Sequence, residues 1–89
     1  MNRLHDMLVA ARAEALFTSD LSTNSQPDAL EVAEAIRRAI QAYRGTRGCA
    51  AEVAAAYGDH PETAAPRMRW ARSVVETTYG PGDLAPGDR

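Results

Sequence analysis

Eighty-nine residues make one domain's worth of chain, and a core of that size withdraws only about 60 to 65% of the unfolded surface from water, leaving room for a few helices and little else. A charged fraction of 25% beside an apolar fraction of 45% argues against wholesale disorder, and a formal net charge of -2 gives no general attraction to phosphate. With an aromatic fraction of 6%, large packing residues are few, so stability should be modest and would gain from self-association as a homodimer.

Every basic side chain is Arg, which fits the drift of a GC-rich coding sequence. Cys49 is the only cysteine, so no internal disulfide can form and no second Cys joins a histidine as a zinc ligand set. A reducing cytoplasm suits that usage, and a small buried apolar role suits Cys49 itself. The opening residues MNRLHDMLVAARAEALF place Asp6, Arg12 and Glu14 among the apolar positions. They form neither a secretory apolar region nor a membrane span, and the protein is expected to be cytoplasmic with no membrane partner.

The first helix is expected over residues 2 to 17, where Leu4, Leu8, Ala11 and Ala15 recur at helical spacing and Val9 and Leu16 broaden the stripe. TSDLSTNSQPD follows as a loop, because its short polar side chains compete for backbone hydrogen bonds. Asn24 or Ser25 caps a second helix, with Pro27 in its first turn and Asp28 and Glu31 near the positive end of its dipole. Val32, Ile36, Ile40 and Tyr43 line one face beside Ala29, Ala33 and Ala39, and Gly45 supplies the left-handed position after Arg44.

GTRG reads as a connector, and CAAEVAAAY as a third helix that ends at Gly58 and turns Ala50, Val53, Ala54 and Tyr57 inward. The fourth helix is capped by Asp59, with Glu62 three residues on and Pro61 in the first turn; Thr63 is a second candidate cap. Ala64, Met68, Ala71 and Val75 make its apolar stripe, Arg69, Arg72 and Glu76 lie on the other side, and the helix runs to about Tyr79. GPGDLAPGDR is then a flexible tail with almost nothing to bury. The expected fold is all-α: one four-helix domain over residues 1 to 79, a helix-turn-helix-like C-terminal hairpin, and a tail over 80 to 89.

The stretch AEVAAAYGDHPETAAPRMRWAR, residues 51 to 72, resembles the helix-turn-helix of sigma-factor region four and related bacterial regulators. Ala51, Glu52, Val53 and Ala54 match the start of the family's first helix, Gly58 its end, Thr63 the start of its second, and Arg67, Met68, Ala71 and Arg72 the pattern beyond. Through RGCAAEVAAAYGDHPETAAPRMRWAR the chain more loosely resembles small helical proteins common in high-GC Gram-positive bacteria, a likeness that brings no activity with it. The first resemblance implies a second helix lying in the major groove, with Glu62, Thr63 and Pro66 on its leading surface and Arg67, Arg69 and Arg72 reaching bases or phosphates.

Trp70 points about 160° away from Met68 on that helix. Core packing is its favoured reading, and an anchor for a partner, flanked by Arg67, Arg69 and Arg72, is the other. His60 is a solvated first-turn residue. No spacing gathers a nucleophile, a base and a carboxylate, and no Gly-rich phosphate loop occurs, so catalytic, cofactor and metal residues are not expected and neither is enzyme activity. The resulting expectation is a small regulatory or adaptor module that binds another macromolecule through the C-terminal hairpin. A protein is the favoured partner, because the acidic total and Pro66 oppose groove reading while an Arg and Trp cluster suits an interface. A helix-turn-helix DNA-binding regulator is the alternative.

Overall fold

The computed structural model describes residues 3–80, which form four helices: α1 Arg3–Thr18, α2 Ala29–Ala42, α3 Thr46–Asp59 and α4 Pro61–Thr78. No strand occurs among the described residues, and the all-α expectation holds. Asn2 and residues 81–89, where the flexible tail was expected, lie outside them. Gly80, expected to open that tail, is buried in the turn after α4.

α1 packs against all three other helices, so its C-terminal half buries apolar side chains on more than one face. Ala15, Leu16 and Phe17 are consecutive and all buried. Val9, Ala13, Leu16 and Phe17 meet Val32, Val53, Ala64, Trp70, Ala71 and Val75 in the main core. Ala15 turns the other way, into a second cluster with Ala39 and Cys49. Three small side chains let α1, α2 and α3 approach closely there, and Cys49 takes the buried apolar place expected of it. Its thiol lies 3.8 Å from the carbonyl oxygen of Ala39.

The stripe expected on α1 is corrected at its N-terminal end, where Leu4 is 64% exposed and Leu8 is exposed as well; Met7, outside that stripe, is 59% exposed. Two stripes overlap on so apolar a helix, and periodicity alone does not choose between them. The neighbours choose Val9 and Ala13.

α2 starts three or four positions later than a cap at Ser25 or Asn24 would place it. Asp28 is the N-cap: its Oδ1 accepts from the backbone N–H of Glu31 at 2.8 Å, while the Asp28 N–H donates to Glu31 Oε1 at 2.8 Å. This reciprocal box displaces Asn24 and Ser25 as caps because its two hydrogen bonds satisfy two backbone donors at once, leaving Pro27 before the helix. Val32, Ala35 and Ala39 are buried, whereas Ile36, Ile40 and Tyr43 flank the core half-buried and Ala29 and Ala33 face out.

At its other end α2 closes with a 2.8 Å bond from the Gly45 N–H to the Ile40 carbonyl and a 3.4 Å bond from Arg44 N–H to Gln41, the Schellman pattern. The left-handed residue of this cap is Arg44, at φ 64°, and Gly45 follows at φ 113° in a region open mainly to glycine. α3 then begins at Thr46, inside the expected connector, because the Gly45 carbonyl already accepts from Cys49 N–H at 3.2 Å. The approach to α2 is so close that a Cβ on Gly48 would run into the Tyr43 carbonyl.

The α3–α4 junction also departs from expectation. Gly58 lies within α3, without a positive φ, and the two helices meet through His60 alone, at φ -144° and ψ 67°. His60, not Asp59 or Thr63, is the N-cap residue of α4, and its carbonyl accepts from Ala64 N–H at 2.9 Å. Pro61 at the first helical position needs no donor there, which lets the helix start directly after the bend. Val53, Met68 and Ala71 pack between the helices as expected, but Ala54 and Tyr57 face outward, Tyr57 stacking on Phe17 at a centroid distance of 6.4 Å.

Candidate functional site

The residues singled out on α4 divide into two sets. Arg67 and Trp70 turn inward, Arg69 and Arg72 outward. The last carbonyls of α1 have no partner within their own helix, and no basic side chain stands in its last turn. Thr18 and Ser19 hydroxyls meet two of them, donating to Ala15 at 2.8 Å and Leu16 at 2.6 Å. Arg67 arrives from α4 to meet a third and to bind the connection beyond: Nε donates to the Phe17 carbonyl at 2.7 Å, and Nη2 to Ser19 and Leu21 carbonyls at 3.0 and 2.8 Å. Nη1 donates to Thr23 Oγ1 at 2.8 Å.

A guanidinium at the negative end of a helix dipole is favourably placed, and its planar fork serves several acceptors that an ammonium could not reach together. Burial pushes its pKa below the usual arginine value, since desolvation penalises the charged form. The four hydrogen bonds oppose that cost. The guanidinium carbon also lies 4.9 Å from the Trp70 ring centroid and 5.7 Å from that of Phe17.

Trp70 is 7% exposed, and its Nε1 donates to the Ser25 carbonyl at 2.9 Å. The core reading of Trp70 is the one the structure follows. Together Trp70 and Arg67 fasten the α1–α2 connection to the side of α4. That connection is shaped by a 3.1 Å bond from Ser25 N–H to the Ser22 carbonyl, with Asn24 in the left-handed region at φ 73°. Asn tolerates that region better than most residues.

A groove of about 440 Å³ runs between residues 24–27 and the C-terminal half of α4. Trp70, Val74 and Pro27 supply its apolar part, and Ser73, Thr77 and Thr78 its hydroxyls. Ser73 and Thr77 also border a shallower depression with Arg69, Arg72 and Glu76, so groove and arginine face share a ridge. Arg69 and Arg72 are exposed, and neither pairs with a carboxylate among the described residues. The groove was not foreseen from sequence, although the Ser and Thr positions lie at helical spacing beside Trp70.

The residues named for DNA contact lie at the opposite end of α4. Glu62, Thr63 and Pro66 are exposed beside Asp59 and His60, with His60 Nδ1 3.9 Å from Glu62 Oε2. Thr63 Oγ1 donates to the His60 carbonyl at 3.2 Å. Arg67, the nearest arginine, is spent on α1 and the loop. A helix-turn-helix joins its helices by a turn of about three or four residues, whereas here a single residue separates α3 from α4. Among the described residues no three His, Cys, Asp or Glu side chains gather as a metal site would require, and no helix is long and apolar enough to cross a membrane.

Comparison with protein-family models, with curated proteins and with solved structures finds no match to this chain. The class that the fold defines is a small all-α domain of four helices.

Proposed function

We propose that this chain is a small cytoplasmic adaptor or regulatory module that binds a protein partner through the outer face of α4. The observation that carries the reading is the pair of exposed guanidiniums on Arg69 and Arg72, paired with no carboxylate among the described residues, beside a groove whose apolar part is Trp70, Val74 and Pro27. Interfaces combine such an apolar recess with arginines on a polar rim. Arg67 and Trp70 enter this reading as builders of the groove rather than as contacts. DNA reading is the less favoured alternative: the leading surface of α4 offers Glu62, Thr63 and Pro66, and the formal net charge is -2.

The test is a photo-crosslinking residue placed at Ser73 and, as a control, at Ala51, both exposed, in cells making the full chain. A discrete protein adduct from position 73 and none from 51 is the expected result. Adducts to nucleic acid, or the same adducts from both positions, would refute the reading.

A further inference from the structure

We propose that the groove of α4 takes a short acidic peptide segment of its partner, an apolar side chain entering beside Trp70 and Val74 while neighbouring carboxylates meet Arg69 and Arg72. The inference rests on the protein-binding reading above and specifies the chemistry of the partner. Two features select this occupant. The first is charge: Arg69 and Arg72 stand three residues apart on the helix, about 60° from each other around its axis, and so offer two forks to one strand. Glu76 lies on the same face, which confines the positive patch to the Arg69 end of the depression. Neither Asp28 nor Glu31 lines the groove, and both are held in the capping box at the start of α2.

The second feature is shape. At about 440 Å³ the groove is large enough for one or two side chains but is only partly apolar, its edges carrying Ser73, Thr77 and Thr78 hydroxyls that can bond a peptide backbone.

Trp70 is the only tryptophan, so its emission reports on the groove without labelling. The full chain is titrated with a capped pentapeptide of four glutamates around a central leucine. The same peptide with lysines for glutamates, and a mixed-sequence DNA duplex, are titrated in parallel. A saturable change with the acidic peptide alone is expected, weakened by about tenfold or more in the R69E/R72E double variant, whose far-UV helical signal should stay at the wild-type level. Equal response to acidic and basic peptides, no response to either, indifference to R69E/R72E, or response to the duplex alone would overturn the inference. So would light scattering that shows a second copy of the chain occupying the groove. If the acidic peptide fails while position 73 still yields a discrete protein adduct, the acidic specificity falls and the protein-binding reading stands; loss of the adduct ends both.

Discussion

Arg67 makes bonds to four residues spread over α1 and the connection after it, and each bond uses a different acceptor atom. Removing the guanidinium leaves the carbonyls of Phe17, Ser19 and Leu21 without this donor, so Arg67→Leu should cost about 2 to 4 kcal/mol in urea denaturation. Arg67→Lys should recover little, because an ammonium is a point donor and cannot span the same set. A loss below about 0.5 kcal/mol would show that the clamp contributes nothing. This role was partly legible. At about 100° per residue Arg67 falls some 40° from Ala71 and 60° from Trp70, within the buried arc, while Arg69 and Arg72 fall outside it. What no helical spacing can show is that the polar TSDLSTN loop, more than 40 positions earlier, folds back to supply the acceptors.

Among the helices, boundaries were set by caps more than by periodicity. Asp28 and Glu31 read from sequence as favourable to the α2 dipole, and their reciprocal bonding places the start at Asp28, beyond Asn24 and Ser25. Gly58 looked like a stop because glycine usually ends helices, but α3 runs through it until Pro61 dictates a new start. Three substitutions test the ends of α2. Arg44 occupies the left-handed C′ position without glycine's freedom, so Arg44→Gly should stabilise the fold by up to about 1 kcal/mol, whereas Gly45→Ala should destabilise it. Asp28→Ala should cost about 1 kcal/mol through loss of the box. Thermal unfolding followed by circular dichroism reads all three, and a destabilised Arg44→Gly would contradict the assignment of the cap.

Taken whole, the molecule is organised around α1, whose C-terminal half is enclosed while its N-terminal turns are not. Leu4→Glu, despite the periodicity that pointed Leu4 inward, and Met7→Glu are therefore expected to change stability by no more than about 0.5 kcal/mol. A loss of several kcal/mol from either would mean that another surface covers them. The same organisation gives α4 its two faces: one closes the core and holds the α1–α2 connection, and the other presents arginines and a groove. The groove keeps its wall of residues 24–27 only while that connection stays fastened.

The most direct measurement is hydrogen exchange at the single indole N–H, compared between the wild-type chain and Arg67→Leu by NMR. If Trp70 and Arg67 jointly fasten the connection, the wild-type indole N–H exchanges slowly and the variant exchanges it much faster while the amide protection of α2 and α3 persists. A wild-type indole that exchanges at the rate of a free tryptophan side chain would contradict the account.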